Sequence, residues 1–380
     1  MEIETEELKG LRRELHKYPE LSGNEIETAK LLTTYLKQYK PDEIIKDIGG
    51  HGFAVVYHSN NPGQTLLFRA DLDALPIQEI NDLSYKSKHK GISHKCGHDG
   101  HMTILTGLAQ AISKHRPHKG KVVLLFQPSE ENGEGAEKVL KDPKFKSIQP
   151  DYVYALHNLP GFQEGNIIIN HDIFASASKG MIIKLFGKTS HAGEPENGNS
   201  PAIAMSDIVK ELTYLPSKNY YRNFVLITVI HARLGEIAFG TTPGYAEVMA
   251  TLRSYTNEDM DVLVKESQKL VKKYAEQNSL KHEIKWTEEF LATKNTSECV
   301  KTIQQAAGKS NLEIITKKEP FRWSEDFSHF THQYKGALFG LGAGEDTPQL
   351  HNPDYDFPEE IIIPGIKIFY EIYNQHLNQQ

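Results

Sequence analysis

Five side chains in this sequence belong to the types that bind divalent metals: Cys96, His98, Glu131, His157 and His351. Thiolate, imidazole and carboxylate are the donors that suit zinc and similar borderline ions. Five donors exceed the need of one tetrahedral ion and suit two neighbouring ions sharing a bridging ligand and a water. Paired ions lower the pKa of such a water and clamp a developing oxyanion. Glu130, next to Glu131, is placed to act as general base. Singly, each residue has a plainer reading. Cys96 can be a small core residue beside a capping His98, and Glu130-Glu131 a solvated pair in a turn marked by Gly133 and Gly135. Asp71 and Asp73 can cap a loop, and His157 and His351 can be ordinary histidines.

What joins them is their position relative to the elements. Short apolar runs typical of buried strands cover Phe53–Tyr57, Leu66–Phe68, Val122–Phe126 and Tyr152–Leu156. Arg69-Ala70-Asp71-Leu72-Asp73 follows the second, Glu130-Glu131 the third and His157 the fourth, while Cys96-Gly97-His98-Asp99-Gly100-His101 opens a helix expected over 98–115. His351 follows another apolar strand, Ala337–Leu341. Strands alternating with helices imply a mostly parallel α/β sheet, and ligands of such sheets bind outside the carboxyl ends of the strands. The clusters should therefore meet at one edge.

Around this lie a first helix with Leu8, Leu11 and Leu15 in register, ended by Pro19, and a second with Ile26, Ala29, Leu32 and Leu36 on its apolar face, preceded by a Ser22/Glu25 capping box. The middle of the chain reads β-α-β-β-α-β. Its strands cover 181–186, 224–231, 245–252 and 282–286, and its helices cover 201–215 and 256–276, the latter turning Met260, Val264 and Leu270 to a core. That order is a ferredoxin-like α+β unit. A C-terminal helix spans 361–377. The expected organisation is an α/β domain in two parts, 1–178 and 289–380, interrupted by a smaller domain over 179–288.

Composition narrows the function. A formal charge of −7 on 380 residues lacks the basic excess of a nucleic-acid binder. No apolar run approaches the roughly 18–20 residues that span a bilayer, and the acidic start of the chain lacks a secretory h-region. Two cysteines do not make a disulfide framework, so a cytoplasmic protein is expected. Cys299 reads as a small core residue. His89, His94, His115 and His118, with Lys86, Lys88, Lys90 and Lys95, read as a solvated basic loop, and Tyr220-Tyr221 as a surface of the smaller domain or a dimer interface.

The blocks resemble peptidase family M20 in its amidohydrolase branch, which includes hippurate hydrolases, aminoacylases, N-acetyldiaminopimelate deacetylases and auxin-conjugate hydrolases. The resemblance runs nearly end to end. It is carried by Arg12-Arg13-Glu14-Leu15-His16 with Pro19-Glu20-Leu21, Arg69-Ala70-Asp71 with Asp73-Ala74-Leu75-Pro76, and Cys96 to His101. It continues through Gln127-Pro128 with Glu130-Glu131, Ala155-Leu156-His157, Glu325-Asp326-Phe327 and Leu350-His351. It implies that Cys96 bridges two metals, zinc first with manganese, nickel or cobalt as alternatives, and that His98, Glu131, His157 and His351 complete their ligands. Glu130 would be the base, and Asp71 would orient a ligand histidine or that base. The interrupting domain would be a lid and dimerisation domain, giving a homodimer or higher homo-oligomer. From it His191 would help hold the oxyanion and Arg253 a substrate carboxylate.

The implied activity is metal-dependent hydrolysis of N-acyl amino acids, small-molecule substrates with no nucleic-acid or membrane partner. A dipeptidase of the same family and a catalytically silent relative are the alternatives. Departures lie in the lid: Phe239-Gly240-Thr241-Thr242-Pro243 lacks the family's asparagine, and Glu196 and Ser200 stand where a histidine and an aspartate are common. They touch substrate identity rather than reaction type.

Overall fold

The computed structural model describes residues 3–218 and 220–378. Along the chain the strands are β1 (Glu43–Ile48), β2 (Gly52–His58), β3 (Thr65–Asp71), β4 (Lys121–Gln127), β5 (Tyr152–Leu159), β6 (Ile167–Ile169), β7 (Ile173–Ala175), β8 (Ala177–Phe186), β9 (Val225–Leu234), β10 (Tyr245–Ser254), β11 (Lys281–Phe290), β12 (Thr293–Lys294), β13 (Ile314–Thr316) and β14 (Lys335–Gly342). The chain divides into two compact units. The larger takes residues 1–174, 293–319 and 326–380, and the smaller takes 175–292 with the return segment 320–325.

The larger unit is built on an eight-stranded sheet of order β1-β2-β4-β3-β5-β14-β6-β13. Its centre, β4-β3-β5-β14, is parallel throughout. β2 and β6 join that centre antiparallel on its two sides. The central strands read as unbroken apolar runs because both faces are covered. From one face Leu66, Phe68, Leu124, Tyr154 and Phe339 join a core with Leu8, Leu11, Leu105, Ile303, Ile366 and Phe369 of the helices Thr5–Lys17, His98–Lys114, Ser297–Ser310 and Ile362–Leu377. Period-two alternation sends Leu67, Arg69 and Asp71 to the other face, where they are also buried.

The smaller unit is α+β. Its sheet has the order β11-β8-β10-β9, antiparallel at each pairing, the ferredoxin-like arrangement in which the last strand pairs with the first. Met181, Ile183, Leu185, Ala246, Val248 and Leu252 are buried, as are Ala204, Ile208 and Leu212 of helix Ala202–Tyr214. Helix Asn257–Gln277, capped by the Thr256 hydroxyl accepting the Asp259 N–H at 3.1 Å, buries Met260, Leu263, Ser267, Val271 and Ala275. The stripe thus runs beside the expected Val264 and Leu270, which are only half-buried.

Some local expectations change. The Ser22/Glu25 capping box is not formed: the Ser22 hydroxyl donates to Asp73 Oδ2 at 2.7 Å and Glu25 Oε1 accepts the Gly23 and Ser129 N–H groups. Helix Ile26–Leu36 starts without a side-chain cap, and Ile26 faces solvent. Strand β1 and helix Ser297–Ser310 were not anticipated. β1 is a charged edge strand with little apolar alternation, and the helix buries small residues (Cys299, Ala306, Ala307) that carry a weak periodic signal. Cys299 is a core residue, as expected. Among the described residues no helix is long and apolar enough to cross a membrane.

Helix His98–Lys114 begins at Gly97, whose φ of 88° is left-handed and where a Cβ would lie 2.6 Å from Asn158 Oδ1. An L side chain there costs about 1–2 kcal/mol for the backbone alone. Gly97→Ala should therefore lower stability by at least that amount in urea unfolding; an unchanged midpoint would show that the turn accepts a side chain.

Candidate metal centre

The carboxyl ends of β3, β4, β5 and β14 bring the predicted donors of the larger unit together. β3 ends at Asp71, which pairs in register with Gln127 of β4. Ser129 then takes a left-handed φ of 56°, its N–H held by Glu25 at 2.8 Å, and the turn delivers Glu130 and Glu131. His157 lies within β5 opposite Gly340 of β14. Cys96 and His98 flank the left-handed Gly97. His351, itself left-handed at φ 66°, comes from the loop after β14.

The donor atoms form overlapping triads: Cys96, His98 and His157; Cys96, Glu131 and His351; His98, Glu130 and Glu131; and Asp71, His98 and His101. Cys96 is common to the first two. Cys96 Sγ lies 3.5 Å from His157 Nε2. His98 Nε2 lies 3.7 Å from Glu131 Oε1, 3.6 Å from Asp71 Oδ2 and 4.0 Å from Glu130 Oε2. His351 Nε2 is 3.8 Å from Glu131 Oε2. Metal–ligand bonds of about 2.0–2.3 Å place two ligands of a tetrahedral ion roughly 3.3–3.8 Å apart, so these spacings fit shared ions better than hydrogen bonds. His98 Nε2 and Glu131 Oε1 are buried without a hydrogen-bond partner, a costly state for polar atoms in a protein interior. The residues present therefore fit divalent metal binding.

Three of the donors are fixed from behind. His98 Nδ1–H donates to the Asp73 carbonyl at 2.8 Å, and His157 Nδ1–H to the Asn158 carbonyl at 2.9 Å. Both rings thus turn Nε2 toward the centre, the usual backing of ligand histidines. Asp73 Oδ2 accepts the Glu131 N–H at 3.0 Å. Burial lowers the pKa of His157 well below the ordinary histidine range and so favours the neutral, coordinating ring. Burial raises the Glu131 carboxyl despite the charge of His98, with Asp73 and Asp71 adding repulsion. For His98, burial is outweighed by Asp71, Asp73 and Glu131, and its pKa rises. Metal binding would have to displace those protons.

Asp71 is backed on both sides. Its Oδ1 meets His101 Nδ1 at 2.7 Å, and its Oδ2 accepts from Arg69 Nη1 at 2.8 Å. Arg69 also donates to Gln127 Oε1 and Asp326 Oδ1, and Asp326 accepts from Gln127 and the Ala136 N–H. Burial would raise the Asp71 carboxyl, but His98, His101 and Arg69 hold it well below the usual range. Its direct histidine partner is thus His101, which also meets Asn158 Oδ1 at 2.6 Å. His101 had no role in the sequence reading. The i, i+3 spacing of His98 and His101 at a helix start is the signal that places both on one face.

A second buried network replaces part of the expected solvated basic loop: Lys95 and His94 are both buried. Lys95 Nζ bonds Glu79 Oε1 at 2.8 Å. Glu79 also takes His16 Nε2 at 3.0 Å, and His16 Nδ1 and Arg12 Nε meet Asp99 Oδ2 at 2.8 and 2.9 Å. Arg12 also pairs with Asp356. Lys88, His89 and Lys90 of the same run are exposed as expected. A run of lysines and histidines gives no local hint that partners 16 and 260 positions away will bury one lysine among several.

His191 and Arg253 belong to the smaller unit. His191 is exposed, its Nδ1 accepts the Gly193 N–H at 3.0 Å, and its backbone bridges to Thr241. That acceptor role leaves the ring proton on Nε2. Arg253, on β10, donates through Nη1 to the Arg322 carbonyl and Ser324 Oγ. A groove of about 960 Å3 between helices Thr5–Lys17 and Ile26–Leu36, floored by Leu11, Leu15 and Leu31, contains none of the donors.

A sequence profile described as peptidase family M20/M25/M40 matches residues 67–375. The chain is 32% identical over 376 residues to N-acetyl-L-cysteine deacetylase of Bacillus subtilis, covering 96% of this chain and 87% of that protein. It is 31% identical over 362 residues to hippurate hydrolase of Campylobacter jejuni, covering 94% and 93%. Among solved structures, a dinuclear metal-binding peptidase of the M20 family from Bacillus subtilis matches with a TM-score of 0.83 at 24% identity, covering 99% of each chain.

Arg69 is the counter-charge to two buried carboxylates, and removing one partner of a buried pair typically costs about 3–5 kcal/mol. Arg69→Met should lose that much in urea unfolding. A loss below about 1 kcal/mol would show that the network around Asp71 and Asp326 is self-sufficient.

Proposed function

The chain belongs to peptidase family M20/M25/M40 and is a metal-dependent hydrolase of amide bonds; on that footing we propose that its substrates are N-acyl amino acids, cleaved in the cytoplasm to a carboxylate and an amine. The observation that carries this reading is the convergence of five side chains of metal-binding type beside a second carboxylate, with His98 Nε2 and Glu131 Oε1 buried without a hydrogen-bond partner. The relatives named for hippurate and N-acetyl-L-cysteine are named for N-acyl amino acids of different acyl size, so the class is supported and the acyl group is left to experiment.

In this reading Cys96, His98, Glu131, His157 and His351 hold two divalent ions, zinc first, with manganese, nickel or cobalt as alternatives. Bound ions of this kind polarise a carbonyl and lower the pKa of water. Glu130, buried at the edge of the cluster, accepts a proton from the water that attacks the amide carbon. It passes that proton to the nitrogen as the carbon–nitrogen bond breaks. Asp71 keeps a fixed negative charge behind His98 and orients His101. From the smaller unit, His191 offers its Nε2–H to the developing oxyanion, and Arg253 receives the carboxylate of the amino-acid part.

The smaller unit also serves, on this proposal, to join two copies. Leu226, Ile230 and Leu234 of the edge strand β9 are exposed, and Ile237 and Phe239 beyond it are fully so, a combination that invites pairing with another chain. A dimeric mass in light scattering that falls to that of a monomer for Ile230→Lys is expected; an unchanged monomer in both would overturn it.

Metal-stripped protein reloaded with Zn, Mn, Co or Ni should hydrolyse members of a panel of acetyl-, benzoyl- and indoleacetyl-amino acids. Glu130→Gln should keep its metal content and lose most turnover, roughly 100-fold or more. Cleavage of dipeptides alone would favour the dipeptidase reading, and metal uptake without turnover a silent relative. Activity retained by Glu130→Gln would sink its role.

A further inference from the structure

Lys95 occupies an unusual place for a lysine. It is 0% exposed, directly precedes Cys96, and is engaged at both ends. Its backbone carbonyl accepts the His351 N–H at 2.8 Å. Its ammonium donates to the Tyr355 carbonyl at 2.7 Å and to Glu79 Oε1 at 2.8 Å. Glu79 is in turn fixed by His16 Nε2 at 3.0 Å and the Ser87 N–H at 2.8 Å.

The loop held in this way is also anchored further along by Asp356, which pairs with Arg12 and accepts from the Tyr85 hydroxyl at 2.8 Å, by Asn81 donating to the Asp354 carbonyl at 2.9 Å, and by the buried Tyr355 and Phe357. No helix or strand lies between Gly342 and Glu359. His351 is half-exposed, with 52% of its side chain accessible, and sits in the left-handed region at φ 66°, where a non-glycine residue needs outside support. Lys95 reaches this loop at two points four residues apart. Against these other anchors, Lys95 adds a direct tie between the residue preceding Cys96 and the backbone of His351 itself.

We propose that Lys95 is a positioning residue: a buried two-point clamp that holds His351 at coordination distance from Cys96 and Glu131, and so sets the affinity of one of two metal positions. The triad Cys96, Glu131 and His351 depends on this clamp. The triad Cys96, His98 and His157 depends instead on the Asp73 and Asn158 carbonyls. The inference rests on the metal-centre reading above and assigns a cause to unequal behaviour of its two halves.

The test is titration of metal-free protein with Co(II) against a chromophoric chelator, yielding two stepwise dissociation constants. Lys95→Met removes the ammonium and keeps the backbone carbonyl. It should weaken one step about 10–100-fold, the scale of groups that orient metal ligands, and change the other by less than about threefold. His351→Ala should weaken the same step, and adding Lys95→Met to it should weaken that step no further, because coupled residues are not additive. The variant Lys95→Met/Glu79→Gln removes the buried carboxylate together with its partner. It separates positioning from stability: its thermal midpoint should approach wild type while the weakened step persists.

Equal loss at both steps, an unchanged pair of constants, full additivity with His351→Ala, or recovery of affinity along with stability in the double variant would each overturn the clamp. Should Lys95→Met not fold, the double variant carries the comparison. Wild-type protein that takes up no Co(II) would overturn the metal-centre reading itself, a result distinct from the others.

Discussion

The site depends on holding like-charged and polar donor atoms close together inside the protein without letting them satisfy one another. Carboxylates and imidazoles at ordinary hydrogen-bond distance would pair and close the space between them. Here the gaps among His98, Glu131, Asp71 and His351 are 3.6–3.8 Å, and two of the donor atoms have no hydrogen-bond partner. Such an arrangement is costly to bury. It persists because the donors are tied from behind, His98 by the Asp73 carbonyl, His157 by the Asn158 carbonyl and Glu131 through its own N–H.

Two buried charge networks lie beside these donors. Arg69, Asp71, Gln127 and Asp326 tie the ends of β3 and β4 to the start of helix Ser328–Gln333. Arg12, His16, Glu79, Lys95, Asp99 and Asp356 tie the first helix to the turn before Cys96 and to the loop after His351. Buried ion pairs are poor sources of net stability, and a hydrophobic core of the same volume often does as well. Their use beside the donors is better understood as orientation: a charged, multiply bonded group has fewer acceptable positions than an apolar one.

The smaller unit answers to a different constraint. Its sheet and two helices enclose a core of their own. The departures from the family's usual residues lie there, around Glu196, Ser200 and Phe239 to Pro243, while the blocks that carry the metal donors are intact. The candidate metal donors and these departures thus lie in different units of the chain.

The residue pattern by itself determined the fold class, the central parallel strands, the ferredoxin-like order of the interrupting segment and the donor set. The reason is that buried strands must be apolar on both faces, and the donors lie just past their ends or at the next helix start, where adjacent strands bring them to one edge. Tertiary structure alone decided which polar residues are buried and what they touch. Ser22 and Glu25 read locally as a helix cap, yet they bond Asp73 and the Ser129 N–H, because partners brought in from distant parts of the chain outcompete the local bond. Lys95 reads as one solvated lysine among several, yet its partners Glu79 and Tyr355 arrive from other segments. Hydrophobic periodicity is written in neighbouring residues, whereas the pairing of a buried charge is set by whichever distant group the fold delivers to it.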